Sequence, residues 1–330
     1  GYTRVGEDVI ESYLRWQRRR NGWNAAADWF RFTPGVVTAI NLLLLSETEE
    51  GDEILIQRPV YYPFADSIQR QKRTVVNSPL QLKNGRYEID FADFERKAAS
   101  PRCKAFILSN PHNPVGRVYT EEELRKLGEI CRKHHVFVIA DEIHSDLIFP
   151  GHRHHVFASL GEEFAENCAV CHAPSKTFNL AGLSFSCILI PNQARRERFD
   201  QMFARYCRAH PNFFAPVAAK AAWDHGENWL NSCLSYIQKN DQFVRKFAED
   251  TWHGDVWISP LEGTYLQWID FRKLEPDAEK LRQKMLYQAH VAMDEGSMFG
   301  PEGNGFERLN LAAPRNLIEE IMNRIAAALR

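Results

Sequence analysis

The chain has 330 residues, 44% of them hydrophobic and 25% charged, the balance of an ordinary globular protein long enough for two compact units. Lys plus Arg number 41 and Asp plus Glu 43, a formal charge of −2, so the charge balance points neither to nucleic acid nor to a membrane surface. No apolar run approaches the ~20 residues of a spanning helix. The seven scattered cysteines, an odd number, argue against a disulfide framework and for a reducing setting, with the cytoplasm as the expected location.

The chain opens GYTRVGEDVIESYLRW, charged and amphipathic from the start, which is not a signal-peptide pattern. The basic run Arg18-Arg19-Arg20 falls on a polar helix face and is expected to be solvated. Thr33-Pro34-Gly35 leads into a helix over residues 35–46, GVVTAINLLLLS. EILIQRPV and KRTVVNSPL then read as strands, DFADFERKAAS as a helix with Asp90 as N-cap, and CKAFILSNP as a strand. In TEEELRKLGEICRKHH, Thr120 caps a helix, Glu123 completes a capping box, and Leu124, Leu127, Ile130 and Cys131 form the apolar stripe.

VFVIADEIH, NCAVCHAPSK and SCILIPN follow as strands. Strands alternating with helices, several of them continuous apolar runs, predict an α/β fold: a three-layer, mostly parallel sheet with helices on both faces. Beyond about residue 226 the pattern changes to a long amphipathic helix, the alternating strands DVWISP and TYLQWIDF, a helix, a short strand around Glu307–Leu311 and a final helix. A large domain over 1–226 and a smaller α+β domain over 227–330 are therefore expected.

Two patterns invite a metal or haem reading. Cys168-Ala169-Val170-Cys171-His172 matches a haem-attachment string, but residues three apart in a strand point to opposite faces, so a buried strand is expected. His152, His154 and His155 lie after Gly151 with no carboxylate or cysteine at ligand spacing, so a solvated loop without metal is expected.

In an open α/β sheet, ligands bind at the carboxyl ends of the strands. Those ends carry Tyr61-Tyr62, then Asn113, then Asp141 with His144, then Ser175-Lys176. Gly35 opens a helix whose free N–H groups and positive dipole end suit a phosphate. Singly these residues are ordinary: a cap, a turn amide, a surface amine, a core imidazole. Together, a lysine, a carboxylate, an aromatic face and a phosphate cradle are what pyridoxal phosphate requires.

Asn113-Pro114-x-Gly116, ADEIHSD (140–146), APSKTFNLAGL (173–183), GTYLQWIDFR (263–272) and GFERLNLAAPR (305–315) together resemble the class I/II aminotransferases of fold type I, over essentially the whole chain. More narrowly they resemble the bacterial cystathionine β-lyase subgroup. The resemblance implies pyridoxal 5'-phosphate, held by Lys176 as a Schiff base, with the same amine later taking the substrate Cα proton. It implies Asp141 on the pyridine nitrogen, Tyr61 stacked on the ring and Asn113 on the phenolic oxygen. His144, standing where many aminotransferases have tyrosine, would sit near that oxygen or the substrate.

By the same resemblance, the Val36 and Val37 N–H groups and the Ser175 hydroxyl cradle the phosphate, and Arg308 clamps the carboxylate of a small amino-acid substrate. Tyr2 corresponds to a tyrosine donated to the phosphate across a homodimer interface. Three departures stand out. Ser184 replaces an arginine common on the phosphate, a change shared with the lyase subgroup. Glu295 stands before Gly296 where relatives have proline, which reads as a tolerated loop change. An aromatic and acidic N-terminal segment of family members has no counterpart here. The expected reaction is α,β-elimination of cystathionine- or cystine-like amino acids to a thiol, pyruvate and ammonia. The alternatives are an aminotransferase of neutral or aromatic amino acids and a degenerate, regulatory binding protein, because no single residue dictates the branch.

Overall fold

The computed structural model describes residues 2–329. Its first nine strands are β1 (Phe30–Thr33), β2 (Glu53–Ile56), β3 (Thr74–Asn77), β4 (Gln81–Lys83), β5 (Arg86–Glu88), β6 (Cys103–Ser109), β7 (Phe137–Asp141), β8 (Cys168–His172) and β9 (Ser186–Leu189). Apart from the β4–β5 hairpin they form one seven-stranded sheet in the order β1-β9-β8-β7-β6-β2-β3. The run from β3 to β8 is parallel, whereas β9 is antiparallel to both β8 and β1. Strand β1 was not anticipated. FRFT is only four residues long and abuts the Pro34-Gly35 punctuation, so it reads as the entrance to a helix.

Side-chain alternation along the strands divides the core in two. Leu55, Phe106, Val138, Val170 and Leu189 face one layer, where helices Glu7–Asn21, Phe91–Ala98 and Glu121–Lys133 cover them. Ile54, Ile107, Ile139, Cys171 and Ile188 face the other, under helices Val36–Glu47 and Pro63–Arg70. Cys168 and Cys171 thus fall on opposite faces of a buried strand, as the spacing requires, and both are free thiols. The capping box is present: Thr120 accepts the Glu123 N–H at 3.2 Å, and Glu123 accepts the Thr120 N–H at 2.9 Å.

The basic run near the N-terminus is not merely solvated. Arg19 pairs with Glu227 at 2.9 Å and donates to the Trp223 carbonyl at 3.0 Å, and Arg20 lies over the Trp16 ring. It therefore ties the first helix to the start of the long helix Glu227–Trp252. Among the described residues, no helix is long and apolar enough to cross a membrane.

A second, antiparallel sheet contains β10 (Trp257–Ile258), β11 (Leu266–Asp270), β12 (Asp294–Glu295) and β13 (Phe306–Asn310) in the order β10-β11-β13-β12. Helices Glu227–Trp252 and Arg315–Ala328 bury its core side. Glu295 is therefore part of a strand, opposite Glu307. Burial first, then Glu295 and Asp294, push the Glu307 carboxyl up to about 8.

Such a group keeps its proton in the fold but loses it near pH ~4.3 in the unfolded chain. Its contribution is harmless below that value and weakens the fold increasingly as pH climbs towards 8. Glu307→Gln is expected to raise the melting temperature at pH 9 by a few degrees and to change it little at pH 5. Equal shifts at both pH values would contradict this.

Candidate active site

The carboxyl ends of the parallel strands surround a cavity of about 390 Å³. It is lined by Val36, Val37, Tyr61, Asn113, Asp141, His144, Ser175, Lys176 and Arg308, which are nine of the ten residues expected from sequence. The tenth, Tyr2, lies outside it. Its ring is 94% exposed and sits 5.2 Å from that of His210.

At the floor of the cavity, helix Val36–Glu47 begins at Gly35, whose φ of 105° is a conformation that disfavours side chains. The helix has no side-chain cap, and its first backbone bond to Gly35 comes from Ala39. The N–H groups of Val36, Val37 and Thr38 therefore lack intrahelical partners at the wall of the cavity, the usual setting for a phosphate. Thr38 was not singled out from sequence, although any residue in that first turn offers the same donor.

Asp141 ends β7 and is 6% exposed. It accepts the Ile143 N–H at 3.2 Å. Burial pushes its carboxyl up to about 7, and nearby Lys176 only partly offsets that. His144 is held as a neutral ring, pushed down to about 3 by burial and then by Lys176 and Arg308. Its Nδ1 is buried without a partner. Tyr265 meets it edge-on at 5.8 Å, a contact that the TYLQWIDF segment contributes from the second sheet.

Arg308, on β13, donates from Nη1 to Asn113 Oδ1 at 2.7 Å and from Nε to Asp294 at 3.2 Å. A guanidinium can only donate, so the Asn113 carbonyl oxygen is committed to it, leaving the amide N–H₂ for a ligand oxygen. The Asn113 backbone carbonyl in turn accepts the Tyr61 N–H at 3.1 Å, which joins the ring to the same corner. Burial, followed by Asp141, raises the Tyr61 phenol above its ordinary value.

Lys176 stands on the short helix Pro174–Thr177 and makes no hydrogen bond or ion pair among the described residues. Its neighbour Thr177 donates to Asp146 at 2.9 Å, and Asp146 also accepts the Trp16 indole N–H at 2.9 Å. Ser184 also lines the cavity, and Tyr62, Ser109, Ala181 and Asn310 complete much of its wall.

The histidine loop departs from its expectation. His154 is 3% exposed and donates to Glu142 at 2.9 Å, as does His172 from the end of β8. The three ligand atoms lie within 4.8 Å of one another, close enough for a metal. Here the two ring nitrogens satisfy the carboxylate directly. The partners are twelve and thirty residues apart in sequence, so no local spacing announces them.

A buried carboxylate only partly compensated by its neighbours, an unpartnered imidazole nitrogen, a free amine and bare helix N–H groups fit pyridoxal phosphate. Arg308 reaches the same cavity with its guanidinium held by Asn113 and Asp294. Arg308→Ala is expected to raise KM for an amino acid by ~10²-fold, as loss of a charge-assisted fork would. An unchanged KM would place the substrate carboxylate elsewhere.

A mostly parallel sheet with this set at its strand ends defines a cofactor-dependent α/β enzyme. The chain belongs to the aminotransferase class I and II family, whose model matches residues 10–325. It is 40% identical to cystathionine beta-lyase PatB of Bacillus subtilis over 100% of this chain and 85% of that protein. Cystalysin of Treponema denticola, solved with pyridoxal 5'-phosphate, superposes with a TM-score of 0.98 at 39% identity, over 100% of this chain and 83% of that one. The pyridoxal-phosphate-bound C-S lyase of Staphylococcus hominis superposes with a TM-score of 0.94 at 31% identity, over 100% of this chain and 85% of that one.

Proposed function

We propose that this chain is a pyridoxal-phosphate-dependent carbon–sulfur β-lyase that cleaves cystathionine- or cystine-like amino acids to a thiol, pyruvate and ammonia. The observation that carries the cofactor assignment is the free Lys176 amine beside the buried Asp141 carboxylate. The preference for elimination over transamination rests on the likeness to a cystathionine β-lyase and to a C–S lyase.

Bound pyridoxal phosphate supplies a cationic ring that takes up the electrons left when a Cα proton departs. Lys176 would hold the cofactor, and its amine would take the substrate Cα proton. Asp141 would keep the ring nitrogen protonated. Tyr61 would offer its ring face to the cofactor, and the Asn113 amide and the neutral His144 would hold its phenolic oxygen. Val36, Val37 and Ser175 would donate to the phosphate, and Arg308 would fix the substrate carboxylate.

In the homodimer that this reading includes, the exposed Tyr2 serves the partner's phosphate. Residues 1–226 then form the large cofactor-binding domain and 227–330 the smaller one. The cytoplasmic placement draws support from the seven free cysteines.

Incubation with L-cystathionine and no 2-oxo acid tests the reaction. Steady release of pyruvate and homocysteine is the expected result. Strict dependence on an added 2-oxo acid would make the enzyme an aminotransferase.

A further inference from the structure

Behind the cavity wall lies a buried carboxylate that none of these steps uses. Glu142 follows Asp141 directly at the end of β7 and is 0% exposed. Its Oε1 accepts the Phe157 N–H at 2.8 Å, and its Oε2 accepts from Nε2 of both His154 and His172 at 2.9 Å. Burial alone would raise its carboxyl, yet His154 and His172 hold it at about 2. The carboxylate is thus ionised and can only accept, so both imidazoles carry a proton on Nε2. The Nδ1 of His172 is then free to accept the Tyr13 hydroxyl, 2.6 Å away.

The position of this cluster matters more than its composition. Asp141 and Cys171 are register partners across β7 and β8, and the Glu142 N–H donates to the Cys171 carbonyl at 3.0 Å. His172 closes β8 just before the turn that carries Lys176. One carboxylate therefore joins the two strand ends from which the proposed ring-nitrogen partner and the proposed covalent lysine emerge. Through His154 and Phe157 it also pins the far side of the loop that contains His144 and Asp146.

We propose that Glu142 is a positioning residue for the reaction, a buried tie that fixes the separation between the Asp141 carboxylate and the Lys176 amine. The inference rests on assigning those two residues to the cofactor. Glu142→Gln preserves shape but removes the charge and one acceptor, so that its N–H₂ group faces either the Phe157 N–H or the two imidazoles. The variant should still take up pyridoxal phosphate. Its kcat on L-cystathionine should fall ~10- to 100-fold, and the affinity of the apoprotein for pyridoxal phosphate, followed by tryptophan fluorescence, about tenfold, the scale at which supporting contacts act on a bound group.

KM should stay within a factor of about three. The visible absorption band of the bound cofactor should shift in position or in the pH at which it changes. A lower melting temperature with unchanged band, affinity and kcat would overturn the proposal, because a purely structural tie would behave that way.

Should Glu142→Gln fail to fold, Tyr13→Phe loosens the far end of the same chain of contacts. A smaller displacement of the band is then expected, and an unmoved band overturns the proposal. If the wild-type protein binds the cofactor but releases no pyruvate, the lyase reading fails while the band and affinity measurements still decide the role of Glu142.

Discussion

Lys176→Ala is expected to lower turnover of L-cystathionine by at least ~10³-fold, because one amine performs two tasks that no neighbour duplicates. In the proposed reading it carries the cofactor and serves as the base. Among the described residues, the cavity holds no second lysine, and its imidazole, His144, is turned neutral by burial and by two nearby cations. The variant should fold normally, since Lys176 makes no hydrogen bond or ion pair that folding would lose. Cofactor should remain bound through the other contacts but exchange freely on dialysis. Turnover within tenfold of wild type would remove Lys176 from the chemistry.

Asp141→Asn separates catalysis from stability, with effects of opposite sign. Asparagine cannot hold a proton on the ring nitrogen by charge, and turnover should fall by ~10²-fold or more, in line with loss of a preorganised electrostatic contact. The apoprotein should become more stable. The folded carboxyl is raised to about 7, above its value in the unfolded chain, so the wild-type apoprotein is unpenalised in acid. It loses stability as pH rises from the ordinary carboxylate range to about 7, by on the order of a few kcal/mol when fully developed.

Asparagine has no charge to desolvate. Thermal melts of the two apoproteins should therefore coincide near pH 4 and diverge at pH 8, with the variant higher. With pyridoxal phosphate added, the order at pH 8 should reverse, since the ring cation then compensates the wild-type carboxylate. A variant apoprotein less stable than wild type at pH 8 would mean that Asp141 is not an uncompensated charge.

The sequence makes some of this arrangement legible and hides the rest for physical reasons. The continuous apolar runs that become β2, β6, β7 and β8 announce buried strands, and the residues that punctuate their ends include most of the cavity. Strand direction is a different matter. SCILIPN has the same apolar look as its parallel neighbours, yet β9 runs the other way, because periodicity carries no sign. Strand β12 is two residues long and exists only through its pairing with β13.

The contacts that complete the site join distant positions, as the Tyr13–His172 and Trp16–Asp146 bonds do, and such pairs leave no local trace. His154 is the clearest case. On a loop rich in histidine and arginine it looks solvated, and only the fold reveals that Glu142 draws it inside. Glu295 likewise reads as a loop residue until Glu307 is seen opposite it.

Reduction of the cofactor-loaded protein with borohydride, followed by peptide mapping, tests the central claim most directly. A single pyridoxyl adduct on Lys176, absent from Lys176→Ala, is the result predicted. A protein that takes up no pyridoxal phosphate, or an adduct on any other lysine, would contradict it.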